Sequence, residues 1–296
     1  MAARRRDILC RTMPESQTPG PVVLRIRLGA TLRRLREARG ITAQQAAEAI
    51  RGSDSKISRI ELGRHAAREI DVSDLLTMYG VTDLADREPL LMLASEALGQ
   101  PWWRRHAAIL PTWFQSYLGV EEAAESVQSY DTHFVPGLLQ TAEYTASLLE
   151  NAGLGAEESS ALIDIQGKRI ERFAAGGWRL TAVIDEAVLC RPAGGTTAFS
   201  AQLEHLRDAA GWPGVTVRIR PFTSGAPLSP AGFTILRFAG QDLPDAVYSE
   251  QLTSASYLDK PAEVARYVAT MDALLSTSTS ARQSKAIISD ALAGLR

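Results

Sequence analysis

Thr42-Ala-Gln-Gln-Ala-Ala-Glu-Ala-Ile-Arg-Gly-Ser-Asp-Ser-Lys-Ile-Ser-Arg-Ile-Glu-Leu-Gly63 reads as two short helices joined by a tight break. Thr42 and Ser53 are both good N-cap residues, because a side-chain oxygen can accept from a free backbone N–H of the first turn. The Gly52–Ser53 step interrupts the helical pattern, and Gly63 ends it. Ala47 is small enough to fill a close helix crossing. Ile57 and Ile60 lie three apart on one face of the second helix, in register with Ile41, Ala46 and Ile50. That arrangement turns Ser53, Asp54, Ser55, Lys56 and Arg59 outward.

The flanking sequence continues the pattern. Leu24, Leu28, Leu32 and Leu35 repeat at helical spacing before Gly40. After Gly63, one helix carries Val72, Leu75, Leu76 and Tyr79, and another carries Leu90, Leu91, Leu93 and Leu98. The expected domain is all-α, with five helices, over residues 22–99. Residues 1–21, with Arg4, Arg5, Arg6 and Arg11 and then Pro14, Pro19 and Pro21, read as a mobile arm, and Met13 is an alternative start.

Charge is unevenly spread. The whole chain of 296 residues carries a net charge of −2. Residues 1–68 hold 15 basic and 6 acidic side chains, and the remainder holds 17 basic and 28 acidic. A basic head on an acidic body suits a head that meets a polyanion. The outward residues at the start of the second short helix occupy the place that enters the major groove in a helix-turn-helix. Ser53, Ser55, Lys56 and Arg59 are therefore candidates for base contacts. Arg33, Arg34, Arg39 and Arg64 are candidates for phosphate contacts, each of which releases counterions on binding.

The strings Leu35-Arg-Glu-Ala-Arg-Gly-Ile-Thr42 and Ser55-Lys-Ile-Ser-Arg-Ile-Glu-Leu-Gly63 resemble the Xre-type, or lambda-repressor-like, helix-turn-helix regulators over about residues 24–80. The resemblance implies a five-helix domain that binds duplex DNA as a homodimer on a two-fold site. Gln44 resembles the position that contacts phosphate or supports the base contacts. One position departs from the pattern: Arg51 stands where the family usually has Gly, and Gly52 follows. Gly52 is expected to supply the left-handed conformation instead.

Residues 100–296 change texture. The first part, to about residue 165, reads as mostly helical, broken at Pro101, Pro111 and Pro136–Gly137. Strands are then expected at Trp178–Asp185, Val215–Arg220, Phe233–Phe238 and Ala246–Glu250, with a helix from Phe199 to about Ala210. Two C-terminal helices present Met271, Leu274 and Leu275, and Ile287, Ile288, Leu292 and Leu295. These faces must dock on the chain's own sheet or across a two-fold axis. The expected body is an α+β domain with a small, largely antiparallel sheet and a partner-binding or regulatory role. Trp102 and Trp103, with Trp113, Phe114 and Tyr117, are read as packing residues. The alternative is a groove for a ligand or partner.

Phe134-Val-Pro-Gly-Leu-Leu-Gln-Thr141 with Tyr144, Val215-Thr-Val-Arg-Ile-Arg-Pro-Phe222 and Val247-Tyr-Ser-Glu250 resemble the domain that follows this helix-turn-helix in many regulators of high-GC Gram-positive bacteria. Such regulators resemble antitoxins and are often encoded beside a small acidic protein. The resemblance implies that partner for the body. The alternative is a ligand-sensing factor with a small-molecule pocket there. The residues of the Val-Pro-Gly-Leu-Leu-Gln-Thr string read first as structural: Pro136–Gly137 as a turn, Thr141 as a cap, and Leu138, Leu139 and Tyr144 as anchors.

Other classes find little in the sequence. His65, His106, His133 and His205 are scattered, and Cys10 with Cys190 make neither a disulfide framework nor a zinc site. No phosphate-binding glycine loop, dinucleotide fingerprint or nucleophile elbow occurs. Asp185 and Glu186 are adjacent at a strand end and face opposite sides. No enzyme activity, cofactor or metal is expected. No apolar run approaches the roughly 18 residues of a membrane span, and Ile8-Leu-Cys10 is too short for a signal-peptide core. No membrane association and a cytoplasmic location are expected.

Overall fold

The computed structural model describes residues 20–63, 65–176, 179–238 and 244–295. The expected arm up to residue 19, Arg64 and Trp178 lie outside them. The chain divides into two compact units, one helical and ending at Ala123, the other beginning at Ala124.

The helical unit contains α1 (Pro21–Ala38), α2 (Ala43–Ala49), α3 (Asp54–Glu61), α4 (Glu69–Met78), α5 (Leu84–Glu96) and α6 (Thr112–Ala123). Pro21 starts α1 at the position where a missing N–H costs nothing. Leu28, Leu32, Ala46, Ala47, Ile50, Ile57, Ile60, Val72, Leu75 and Leu76 make one buried core across the first four helices. Arg25 closes the far end of α5: its Nε donates to Ala97 O at 2.7 Å and its Nη2 to Gly99 O at 2.8 Å. Trp103 is buried and meets Trp102 edge-on, ring centroids 5.3 Å apart.

The second unit is built on a sheet of β1 (Ser126–Asp131), β2 (Arg179–Asp185), β3 (Val215–Arg220), β4 (Phe233–Arg237), β5 (Ala246–Glu250) and β6 (Ala255–Leu258). Among the described residues the strand order is β3-β2-β1-β4-β5-β6. The β1–β2 and β2–β3 pairs are parallel, and the β1–β4, β4–β5 and β5–β6 pairs are antiparallel. The sheet is thus mixed and six-stranded, which corrects the expectation of a small, largely antiparallel one. The reason is β1, in a stretch read as helical. Its sequence, Ser-Val-Gln-Ser-Tyr-Asp, has two apolar residues that fall on opposite faces, so it carries no strand alternation. It lies mid-sheet, where both edges are paired. Parallel neighbours need crossovers. α7 (Ala142–Asn151) and α8 (Ala156–Gly176) make the first, α9 (Glu186–Leu189) and α10 (Gly195–Ala209) the second.

Two C-terminal helices, α11 (Pro261–Thr277) and α12 (Ala281–Gly294), close the unit. Val264, Met271 and Leu274 of α11 join Tyr130, Val183, Phe233, Ile235 and Val247 in one core. Ile288 and Leu292 of α12 are buried, and α12 packs on α10 and β3. Both faces therefore dock within the chain's own unit. The outer edge of β3 is closed by one side chain and one backbone group of this region: Ile219 N–H donates to Ser284 Oγ at 2.9 Å, and Ile219 O accepts from Thr279 N at 2.9 Å.

The Val-Pro-Gly-Leu-Leu-Gln-Thr segment is stitched into this unit. Thr141 caps α7 by accepting from Tyr144 N at 3.2 Å. Buried Gln202 donates to Leu139 O at 2.8 Å and accepts from Thr141 N at 2.7 Å. Leu138, Leu139 and Tyr144 are buried. The carboxylates at the end of β2 also have local tasks: Asp185 accepts from Ala187 N at 3.0 Å and Glu186 from Phe222 N at 2.7 Å.

Candidate nucleic-acid interface

The pair α2–α3 is fixed at each end by its own sequence. Thr42 and Gln45 form a reciprocal capping box on α2: Gln45 N donates to Thr42 Oγ1 at 3.2 Å, and Thr42 N to Gln45 Oε1 at 2.9 Å. Ser53 caps α3 by accepting from Lys56 N at 3.3 Å. Gly29 lets α1 cross the end of α3 closely; a Cβ there would lie 2.7 Å from Glu61 O.

The turn between them is a Schellman closure. Gly52 N donates to Ala47 O at 2.8 Å, and Arg51 N to Glu48 O at 3.1 Å. The left-handed residue is Arg51, at φ +50°, and among the described residues it is the one non-glycine with positive φ. This corrects the assignment of that role to Gly52. The closure geometry demands αL at the residue after the C-cap, whichever side chain stands there. An L-residue in αL costs about 1–2 kcal/mol.

A largely buried ion pair ties the end of α3 to α1. Arg36 on α1 donates from Nε to Glu61 Oε1 at 2.6 Å and from Nη2 to Glu61 Oε2 at 2.9 Å; its Nη1 donates to Ile41 O at 2.8 Å. The two side chains are 13% and 7% exposed. The hydrogen bonds donated to Glu61 hold the Arg36 guanidinium above its usual value. Burial, and then the Glu61 charge, push the neighbouring Tyr79 hydroxyl up to about 12.

The site residues expected from sequence divide into two groups. Gln44, Ser53, Ser55, Arg59, Arg33 and Arg34 are exposed. Ser55 and Arg59 are four apart on one face of α3, with Arg59 Nε donating to Ser55 O at 3.1 Å. Ser55 Oγ lies 2.9 Å from Ser53 Oγ. Arg33 makes an exposed i,i+4 pair with Glu37 at 2.9 Å. Lys56 is instead engaged with α4, and Arg39, also exposed, reaches the turn that follows α4. Lys56 Nζ lies 2.9 Å from Asp71 Oδ2, and Asp71 is also held by Arg68 at 2.8 Å. Arg39 Nη2 donates to Gly80 O at 3.4 Å. Burial alone would push the Asp71 carboxyl up; the bonds from Arg68 and Lys56 outweigh it and hold the carboxyl below its ordinary value. Arg51 is exposed beside the start of α3 and joins the group of exposed cations, although the sequence reading treated it only as a turn residue.

Residues 27–90 match a family described as a helix-turn-helix domain. They contain α2, the turn and α3, so the exposed side chains of α3 belong to a DNA-binding module. Residues 114–290 match a domain of unknown function, DUF5753. The chain belongs to the DUF5753 family. In this DUF5753 protein the matched region spans the whole sheet and α11. The comparisons with curated proteins and with solved structures gave no match. Among the described residues no helix is long and apolar enough to cross a membrane, and no cluster of His, Cys, Asp or Glu is set to hold a metal ion.

Proposed function

We propose that this protein is a sequence-specific DNA-binding transcriptional regulator of the Xre type, and a binding protein rather than an enzyme. The observation that carries the reading is α3: its cap Ser53, Ser55 in its first turn and Arg59 in its last turn are presented to solvent. Its other face is locked by Ile57, Ile60 and the Arg36–Glu61 pair. In a helix-turn-helix the second helix reads base edges, while cations on the flanking elements hold phosphate. Arg33, Arg34 and Arg51 suit the second task.

The proposal includes a homodimer on a two-fold site, because two half-sites read together gain effective concentration over one. The resemblance of the second unit to antitoxin-like regulators supports a small acidic partner protein held by that unit and a cytoplasmic site of action. Selection of bound duplexes from a random pool by the full chain tests the reading. Enrichment of a two-fold motif is the expected result. Recovery of the unselected base composition would overturn it.

A further inference from the structure

The solvent faces of α4 and α5 carry a chemistry opposite to that of α1 and α3. Glu69, Asp74, Asp83, Asp86, Glu88 and Glu96 are exposed there. Among the described residues none of these six pairs with a cation. From Glu69 to residue 100 the chain has one basic side chain, Arg87. Its guanidinium is spent inside the unit, on Ser73 O at 3.0 Å and Val81 O at 2.8 Å. Large apolar side chains stand among the carboxylates: Leu84 is 78% exposed and Met92 58%. Two adjoining shallow grooves run along α5 and share Glu88 and Met92. One is also lined by Leu84 and Leu91, the other by Pro89 and Leu93.

A solvated helix face does not need exposed Leu and Met, and an apolar surface rimmed by charge is the anatomy of an interaction site. Charge decides what fits. DNA is repelled by six carboxylates. A second copy of the chain is disfavoured too, because a two-fold contact sets this patch on itself and brings like charges together, while the cation at its edge, Arg68, is held by Asp71 of its own chain. We propose that the α4–α5 face docks a basic amphipathic helix of another protein, with Lys or Arg flanking a stripe of Leu, Ile or Phe. The apolar stripe fills the grooves beside Met92, and the cations meet Glu88, Asp86 and Glu96. The inference does not rest on which DNA the protein reads, since no residue of α3 takes part.

The test uses the full chain and two synthetic amphipathic helices of about 18 residues, identical on a Leu face and carrying Lys or Glu beside it. Fluorescence anisotropy is measured against the native chain, against Leu84→Ser/Met92→Ser and against Asp86→Lys/Glu88→Lys. These side chains are exposed, so both variants retain the fold, which circular dichroism verifies. The expected result is binding of the Lys peptide to the native chain, weaker by at least about tenfold in each variant and for the Glu peptide. Absence of Lys-peptide binding, or equal binding by all three chains, overturns the proposal. A drop in solution mass on Leu84→Ser/Met92→Ser overturns it in favour of a second copy on this face. Stronger peptide binding after removal of residues 1–19 overturns it in favour of the chain's own arginine-rich segment as the occupant.

Discussion

Arg36 and Glu61 form a largely buried two-pronged ion pair between α1 and the end of α3, at 2.6 and 2.9 Å. With the Arg36 bond to Ile41 O, one guanidinium joins α1, the start of the helix-turn-helix and its second helix. Removing one partner of such a pair strands the other charge. Arg36→Ala is expected to destabilise the helical unit by about 3 kcal/mol, in the range for broken buried pairs. Denaturant unfolding followed by helical circular dichroism checks this. A loss below about 0.5 kcal/mol would show the pair to be ornamental.

Arg51 holds a left-handed conformation that glycine adopts without strain. Arg51→Gly is expected to stabilise the helical unit by about 1 kcal/mol, and Arg51→Val to destabilise it. The same Arg51→Gly substitution removes an exposed cation beside α3 and should weaken binding to all DNA sequences alike. Paired melting and binding curves of the variant separate the two effects.

Lys56 and Ser55 are neighbours on α3 with different surroundings. Lys56→Ala removes the 2.9 Å partner of buried Asp71 and is expected to cost about 1 kcal/mol of stability, Arg68 keeping the carboxylate partly paired. Ser55 is exposed, so Ser55→Ala should leave stability within about 0.5 kcal/mol and change the preferred bases instead. Duplex selection with each variant, next to its melting curve, checks the division.

Two carboxyls give stability opposite pH trends. Asp71 sits below its ordinary value, so its contribution is present above the unfolded carboxyl value near 3.9 and is lost as pH falls through the folded one. Burial pushes Asp131, at the end of β1, up to about 7, with Ser129 drawing it partly back. The folded state then favours the protonated form, so stability falls as pH rises from about 4 through 7. The loss between pH 5 and 8 should be on the order of 2 kcal/mol. Asp131→Asn is expected to flatten that slope and to raise stability at pH 8. Denaturation of both chains across this range checks it; parallel slopes would contradict the assignment to Asp131.

What could be read in the sequence was what repeats locally. Thr42 and Ser53 announce their helices because a cap acts within three residues. Ile57 and Ile60 announce a face because helical spacing is local. β1 was invisible because its partners Leu180 and Leu236 are more than fifty residues away and its own residues carry no alternation. The ion pair of Lys56 could not be read, because its partner, Asp71, lies on another helix. Arg51 looked incompatible with the turn because propensity disfavours αL, yet the two closing hydrogen bonds and the packing of α2 on α3 impose it. Local preferences of about 1 kcal/mol yield when a whole core depends on the geometry.

In the proposed function α3 reads bases while the surrounding cations hold phosphate. The most direct test is the affinity of native chain, Arg59→Ala and Arg34→Ala for a selected duplex and a scrambled one, between about 50 and 200 mM salt. The account predicts that native affinity falls steeply with salt on both duplexes. Arg34→Ala should weaken both alike and reduce the salt slope. Arg59→Ala should lose affinity mainly on the selected duplex, by about 1–3 kcal/mol, narrowing the ratio between the two. Equal losses on both duplexes from Arg59→Ala, or a native affinity indifferent to sequence, would contradict it.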